Sequence, residues 1–191
     1  KENIILSHIK TYKLIHEIYR KQKLNPPLIS IAKNMQPFVP CALTLRNRFA
    51  AYLRDKYFNF EFIKRLVHAN ALDFIGLNYY FHNRIDYGFN KNKNEKVSDT
   101  GWELYPEGLY HVLLGLKQFQ KPIYITENGL ADAEDKYRAW FIKEHVQWLR
   151  RAMDEGADVR GYLYWSLLDN FEWDKGFWPR FGLVEVDYKT L

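Results

Sequence analysis

The sequence predicts an α/β fold in which parallel strands alternate with helices. Four short segments have the apolar, β-branched and aromatic residues that favour buried strands, and they cover residues 28–32, 71–80, 122–126 and 159–166. Amphipathic segments with helical spacing lie between them. Because strands and helices alternate along the chain, we expect βαβ units with right-handed crossovers. Continuous apolar strands are typical of a sheet that is buried on both faces.

Apolar residues at intervals of three and four identify the helices. Helices are predicted over residues 2–21, 42–57, 60–68, 106–118 and 135–155. The segments 82–104 and 168–180 are predicted to be long loops, and loops of that length in compact domains are usually functional or mobile. Residues 181–186 are predicted to add a last short extended piece.

Two architectures share this pattern, a doubly wound sheet and a (β/α)8 barrel. Polar or aromatic residues follow the C-terminal end of every predicted strand, and no glycine-rich phosphate loop follows any of them. Both features favour the barrel. A complete barrel needs roughly 250 residues or more, and four strands are half of its eight. We therefore expect residues 1–191 to form one domain that corresponds to half of a barrel.

Composition limits the classes of function. The 28 Lys and Arg residues exceed the 23 Asp and Glu residues by only five, and the one dense basic cluster, at 90–96, is predicted to be a solvated loop. The sequence lacks the stripe of basic and aromatic residues that is typical of nucleic-acid binding. It also lacks an apolar run of the roughly eighteen residues that indicate a membrane span. Cys41 is the single cysteine, so a reducing compartment is predicted, and without a signal-peptide pattern we expect a cytoplasmic protein.

The sequence predicts neither a metal nor a cofactor. The six His residues are scattered or share one amphipathic helix, and one cysteine is too few for a typical structural zinc site. Gly-x-Ser-x-Gly and Gly-x-x-x-x-Gly-Lys motifs are absent, which excludes the usual serine hydrolase and P-loop signatures.

The segment 122–129, Pro-Ile-Tyr-Ile-Thr-Glu-Asn-Gly, predicts a short buried strand that ends at a carboxylate. Asn128 and Gly129 supply turn residues that tolerate positive φ. Glu127 is therefore expected at the C-terminal end of a strand, where it can face a ligand. By itself this pattern is better explained by a Glu that caps the next helix or pairs with an Arg.

Together with Tyr-Trp-Ser-Leu-Leu-Asp-Asn-Phe-Glu-Trp at 164–173, this segment resembles glycoside hydrolase family 1, the β-glucosidases and β-galactosidases. The resemblance runs through nearly all 191 residues, most loosely over 35–70, and implies strands five to eight of a (β/α)8 TIM barrel. It implies that Glu127 is the catalytic nucleophile and that the Tyr80 hydroxyl orients it. Asn78 is expected on the same face as Tyr80, because side chains alternate along a strand.

The resemblance also implies a set of sugar-binding residues. Trp165 is expected to be the stacking platform, with Phe181 near the far edge of the sugar and Trp102 beside the aglycone. Glu172 is expected to accept hydrogen bonds from two hydroxyls, and Trp173 to donate one N–H. An anionic Glu172 would repel a phosphate, which indicates unphosphorylated sugars. For each aromatic residue, packing in a loop or in the core is the alternative interpretation.

The chain lacks the Asn-Glu-Pro motif that carries the acid/base carboxylate in this family. Retaining hydrolysis needs two carboxylates about 5–5.5 Å apart, so the second is expected from a missing N-terminal half-barrel. The first hypothesis is a retaining β-glycosidase that acts on β-glycosides through a covalent glycosyl-enzyme. The alternative is a non-catalytic carbohydrate-binding or scaffold fragment of such a barrel.

Overall fold

Seven strands and five α-helices are formed within residues 1–190, the part of the chain that the structure, a computed structural model, describes. The strands are β1 (Ala32–Asn34), β2 (Phe38–Pro40), β3 (Ile75–Asn78), β4 (Asn83–Asp86), β5 (Phe89–Asn90), β6 (Ile123–Asn128) and β7 (Val159–Tyr164). The helices are α1 (Glu2–Lys21), α2 (Leu45–Asp55), α3 (Glu61–His68), α4 (Glu107–Leu116) and α5 (Arg138–Asp154).

The main sheet contains four strands in the order β1-β3-β6-β7, and every neighbouring pair is parallel. Its sequence order matches its spatial order, as it does where each strand is followed by a helical crossover to its neighbour. The predicted α/β fold with a parallel sheet is therefore confirmed. Because all four strands run the same way, their C-terminal ends meet at one edge of the sheet.

The core lies between this sheet and the helices. Alternate residues of the two central strands, Ile75 and Leu77 on β3 and Ile123 and Ile125 on β6, are at most 1% exposed and belong to the main apolar cluster. Helices α3 and α4 contribute further members of that cluster: Phe62, Ile63, Leu66, Leu109, Val112, Leu113 and Leu116. Each fully buried Ile or Leu there stabilises the fold by about 1.5–3 kcal/mol.

The first strand lies further along the chain than predicted. Residues 28–32 were expected to be the strand, whereas β1 covers Ala32–Asn34. The preceding segment binds Asp73 instead, because the carboxylate of Asp73 accepts a 2.8 Å hydrogen bond from the backbone N–H of Ile29. The second strand is shorter than the predicted 71–80, since β3 covers only Ile75–Asn78.

A second, three-stranded sheet takes two of its strands, β4 and β5, from the segment 82–104, which was predicted to be a loop. Strand β2 pairs in parallel with β4, and β4 pairs antiparallel with β5. Strand β4 falls within the predicted loop 82–104, where its sequence Asn-Arg-Ile-Asp has too few apolar residues to predict a strand. Tertiary pairing with β2 therefore decides its structure.

Helix α5 starts three residues later than predicted, at Arg138. Both carboxylate oxygens of Asp132 accept backbone N–H groups at the start of the helix, from Lys136 at 3.1 Å, Tyr137 at 2.7 Å and Arg138 at 3.0 Å. Asp132 thus satisfies donors that a helix N-terminus leaves free. The chain between β6 and α5 is fixed by this carboxylate.

Strands β1 and β7 are the two outer strands of the main sheet. The β7 side chain of Leu163 is 53% exposed, and Leu167 and Leu168 beyond the strand are 67% and 52% exposed. An apolar surface therefore adjoins β7. Within residues 1–190, the helices are all too short or too polar to cross a membrane.

Candidate active site

Glu127 lies near the C-terminal end of β6, where a β-bulge sets its position. The pairing of β3 with β6 shifts register between Leu77 and Asn78, so that Asn78 lies opposite Glu127. The backbone oxygen of Glu127 accepts a 2.9 Å hydrogen bond from the N–H of Tyr79. Bulges change the direction in which a side chain points, and here the half-buried carboxylate lies beside the side chains that end β3.

Tyr80 provides the closest polar contact of that carboxylate. Its hydroxyl donates a hydrogen bond of 2.6 Å to Oε2 of Glu127, across 47 positions of sequence. Burial, together with this hydrogen bond and the negative charge of Glu127, raises the pKa of the Tyr80 hydroxyl well above its usual range. The hydroxyl therefore keeps its proton and acts as a donor to Glu127 at every physiological pH.

Asn78 is paired in the sheet with Glu127, the residue that the Tyr80 hydroxyl contacts, and its predicted role stays a prediction. The Thr126 hydroxyl donates a 2.6 Å hydrogen bond to Oδ1 of Asn78. Tyr79 between them is fully buried, and its hydroxyl donates to the backbone oxygen of Tyr105 at 2.6 Å. The alternation thus separates a buried tyrosine from a tyrosine that contacts Glu127.

Asn128 and Gly129 have roles other than the predicted turn with positive φ, which neither residue adopts. Asn128 is fully buried; its Nδ2 donates to the backbone oxygen of Tyr79 at 2.7 Å, and its Oδ1 accepts from the Tyr162 hydroxyl at 2.8 Å. A Cβ on Gly129 would overlap the carbonyl oxygen of Trp165. Glycine is therefore required here by close backbone approach.

Aromatic rings surround Tyr80. The centroid of its ring lies 5.3 Å from that of Trp102 and 6.4 Å from that of Phe181, and the Trp102 and Phe181 rings are also 6.4 Å apart. Trp165 packs against the same cluster and is half-buried. Phe181 is only 1% exposed, so its ring forms a buried part of this cluster.

Glu172 lies within electrostatic reach of Glu127. Burial and the negative charges of Glu127 and Asp174 raise the pKa of the Glu172 carboxyl, against the opposing effects of Asn170 and Lys175. A half-buried carboxylate here can accept hydrogen bonds, while its charge disfavours a second anion. The predicted partner Trp173 is not in the aromatic cluster: it is 85% exposed, in a short 3-10 turn over Trp173–Lys175. Its predicted contact with a ligand stays a prediction.

Arg138 was missed by the sequence reasoning. Its side chain is 9% exposed, and it donates hydrogen bonds to the backbone oxygens of Leu130 and Phe181. One signal was present, because a cation in the first turn of a helix opposes the helix dipole. An arginine at that position therefore indicates a specific partner elsewhere. No three His, Cys, Asp or Glu side chains of residues 1–190 are arranged to hold a metal ion.

Comparison with known proteins identifies the family and agrees with the fold. The profile described as "Glycosyl hydrolase family 1" matches residues 63–191. The β-galactosidase of Sulfolobus acidocaldarius is 33% identical over 222 aligned positions, which span 100% of this chain and 44% of the relative. The β-galactosidase of Saccharolobus solfataricus is 44% identical over 137 positions, 62% of this chain and 28% of the relative.

Solved structures of a β-glucosidase and a β-glycosidase superpose on nearly all of this chain. The β-glucosidase from Thermotoga maritima in complex with glucoimidazole superposes with a TM-score of 0.87 at 26% identity, over 98% of this chain and 51% of the other. The β-glycosidase from Pyrococcus horikoshii superposes with a TM-score of 0.85 at 35% identity, over 98% of this chain and 48% of the other.

The chain thus spans about half the length, or less, of these relatives. The prediction that it forms part of a (β/α)8 TIM barrel is confirmed by these superpositions and by the parallel sheet. The match of the family profile confirms the resemblance on which the predicted site residues were based. The chain belongs to glycosyl hydrolase family 1.

Proposed function

We propose that this chain provides the nucleophile and most of the sugar site of a retaining β-glycosidase that hydrolyses unphosphorylated β-D-glycosides. The observation that carries the proposal is the 2.6 Å hydrogen bond from the Tyr80 hydroxyl to Glu127 at the C-terminal edge of a parallel sheet. Catalytic groups of (β/α)8 barrels lie at that edge. Residues 1–191 are proposed to act as one domain, the C-terminal half of the barrel.

In the proposed reaction, a carboxylate oxygen of Glu127 attacks the anomeric carbon while the bond from that carbon to the leaving oxygen breaks. The acid/base carboxyl protonates the leaving oxygen, and a glycosyl ester forms on Glu127. The same acid/base group then takes a proton from water, which attacks the anomeric carbon and regenerates the Glu127 carboxylate. Two inversions give net retention of configuration. The Tyr80 hydroxyl is proposed to orient the nucleophile through its hydrogen bond to Oε2 of Glu127.

The sugar is proposed to bind between Trp165 and Glu172. An aromatic face can pack on the apolar C–H groups of a pyranose, and a carboxylate can accept hydrogen bonds from adjacent hydroxyls. Burial near Glu127 makes a second negative charge costly at Glu172, as the raised pKa of its carboxyl indicates. A phosphorylated sugar would add a further anion, so unphosphorylated sugars are favoured. Trp102 is proposed to line the aglycone side, with Trp173 and Phe181 completing the site.

The acid/base carboxylate is proposed to come from an N-terminal half-barrel. No Asn-Glu-Pro motif occurs in the sequence, and the relatives are about twice as long as the part that aligns. Strand β7 and its exposed residue Leu163 supply an edge and an apolar surface for such a half. On the lone thiol of Cys41 we also propose that the protein works in a reducing compartment, the cytoplasm.

Covalent labelling tests the nucleophile. The probe is 2,4-dinitrophenyl 2-deoxy-2-fluoro-β-D-glucoside, whose leaving group departs without protonation. The chain is incubated with it alone and together with the portion of the Sulfolobus acidocaldarius β-galactosidase that it does not span. Mass spectrometry of the peptides is expected to place one fluoroglucosyl group on Glu127, and Glu127→Gln is expected to remain unlabelled.

A label on any other residue, with hydrolysis intact in Glu127→Gln, would contradict the nucleophile assignment. The alternative function, a non-catalytic carbohydrate-binding or scaffold fragment, predicts a different result. Glucose binding then survives Glu127→Gln, and no complementing segment produces label or turnover. Glu185→Gln is a suitable control, because Glu185 is an exposed carboxylate of the same C-terminal segment.

A further inference from the structure

The guanidinium of Arg138 connects three separate segments of the chain. Its Nη1 donates hydrogen bonds to the Leu130 backbone oxygen at 3.2 Å, the Tyr164 hydroxyl at 2.9 Å and the Phe181 backbone oxygen at 3.3 Å. Its Nη2 donates to the backbone oxygens of Asp132 at 2.6 Å and Arg180 at 3.2 Å. Its Nε donates to the Asp135 carboxylate at 2.7 Å, so one planar group serves six acceptors outside its own helix, three of which share the two Nη1 hydrogens.

Each of the three segments carries a different part of the candidate active site. Leu130 and Asp132 belong to the loop that follows β6, the strand that carries Glu127. Tyr164 is the last residue of β7 and immediately precedes Trp165. Arg180 precedes Phe181, whose ring packs against Tyr80 and Trp102. Arg138 therefore links the backbone of the nucleophile strand, the stacking platform and the supporting ring.

The charge of Arg138 by itself contributes little to the stability of the fold at this position. A cation in the first turn of α5 faces the unfavourable end of the helix dipole, and its one carboxylate partner, Asp135, is 70% exposed on its side chain. Exposed ion pairs stabilise weakly. The rigid fork of five N–H donors is what a lysine could not reproduce, and it fixes the relative positions of its acceptors.

We propose that Arg138 is a positioning residue that holds the nucleophile strand in register with Trp165 and Phe181. The inference rests on the proposed function. It acts through backbone oxygens and the Tyr164 hydroxyl, without contact to the substrate: loss of Arg138 allows the loop after Glu127 to shift relative to β7. Displacement of a catalytic group by about 1 Å can reduce a rate by roughly 10²-fold.

A cleft gives small molecules access to this guanidinium. The cleft has a volume of about 340 Å³, and Arg138, Asp132, Asp135, Asp169 and Arg180 are among its lining residues. A free guanidinium ion can therefore reach the space that truncation of Arg138 would leave. Such rescue would not be expected if the side chain acted only by filling volume in a closed core.

The test measures labelling of Glu127 by 2,4-dinitrophenyl 2-deoxy-2-fluoro-β-D-glucoside in the complemented preparation described above. The rate constant of inactivation is expected to fall about 10²-fold in Arg138→Ala and about tenfold in Tyr164→Phe, with a smaller change in the inhibitor concentration at half-maximal rate. Millimolar guanidinium is expected to restore labelling in Arg138→Ala, whereas ammonium is not. Arg150→Ala, at an exposed Arg of the same helix, is the matched control and labels like wild type.

Tyr164→Phe keeps Arg138 and removes one acceptor, so it decides the question if Arg138→Ala does not fold. Wild-type inactivation rates in both Tyr164→Phe and Arg138→Lys overturn the inference. A loss in folded Arg138→Ala that guanidinium does not restore also overturns it. If wild type itself acquires no label on Glu127, the proposed function fails, and this inference fails with it.

Discussion

The backbone of Trp165 lies directly against Gly129, two residues beyond Glu127. The Trp165 N–H donates a 3.0 Å hydrogen bond to the backbone oxygen of Asn128, and the Trp165 carbonyl occupies the space where a Cβ of residue 129 would stand. Trp165, the proposed stacking platform, and the strand that carries Glu127 are therefore connected through main-chain contacts. A glycine with no Cβ permits that approach.

Gly129→Ala is expected to lower stability and to displace Trp165. The added methyl overlaps the carbonyl oxygen of Trp165, the residue that follows β7. A backbone oxygen cannot rotate away as a side chain can. We expect a loss of about 1–3 kcal/mol or more in unfolding free energy, measured by urea denaturation, and a change in Trp fluorescence. Gly88→Ala is the control, because a Cβ there meets nothing within 4 Å. Equal stability of the two variants would contradict the steric argument.

Tyr80→Phe is expected to lower the rate of Glu127 labelling while the fold is kept. The substitution removes the 2.6 Å donor to Glu127 but retains the ring packed on Trp102 and Phe181. Loss of one preorganised donor costs roughly 10²–10³-fold in rate in comparable sites. The measurement is the inactivation rate constant with the fluoroglucoside.

The neighbouring Tyr79→Phe gives the matched control for this prediction. Its hydroxyl donates to the Tyr105 backbone oxygen on the other face of β3, so its loss is expected to cost about 1 kcal/mol of stability with little effect on labelling. The proposed role of Tyr80 is excluded if the two variants label equally fast.

Glu172→Gln is expected to weaken glucose binding and to stabilise the free protein at neutral pH. Burial and the charge of Glu127 raise the pKa of the Glu172 carboxyl, so the folded state binds its proton more tightly than the unfolded state does. The resulting stability is present at low pH and is lost as pH rises through the folded pKa. Neutral Gln avoids that loss.

The measurement is the difference in Tm between Glu172→Gln and wild type as a function of pH. A positive difference near neutral pH that disappears as wild-type Glu172 becomes protonated is the expected result. A constant difference across the pH range would show that charge is not the cause. Glu185→Gln, on the same segment but exposed, is expected to show no such dependence.

Asp73→Asn is expected to destabilise the fold, chiefly above acidic pH. Burial disfavours the Asp73 charge, but hydrogen bonds from the Tyr12 hydroxyl at 2.6 Å, the Ile29 N–H at 2.8 Å and His16 at 3.2 Å outweigh it and lower the pKa of Asp73. A lowered carboxyl pKa contributes stability that is present above the unfolded value and lost as pH falls through the folded value.

Thermal unfolding across pH tests this prediction. Wild type is expected to lose its advantage over Asp73→Asn as pH falls below about 4, the ordinary range for Asp. Asp154→Asn provides the comparison, since Asp154 is exposed and pairs with Arg150 within α5. If both variants follow the same pH profile, the contacts that join α1 to the start of β3 do not stabilise the ionised form.

Local patterns predicted the main sheet well and the smaller sheet poorly. Strands β6 and β7 are rich in β-branched and aromatic residues, and their positions were predicted to within two residues. Strand β4 carries only one β-branched apolar residue, Ile85, and forms because β2 offers it backbone partners. Hydrogen bonding to a distant strand leaves no local pattern in such a segment.

The sequence by itself determined the α/β alternation, the family, and the location of Glu127 near a strand end, because these depend on residues that are close neighbours in the chain. Only the tertiary structure decided that a register shift brings Glu127 opposite Asn78 and that Arg138 joins three segments. Tyr80 and Glu127 are 47 positions apart. Contacts over such separations depend on how helices and strands pack, and no local periodicity encodes that packing.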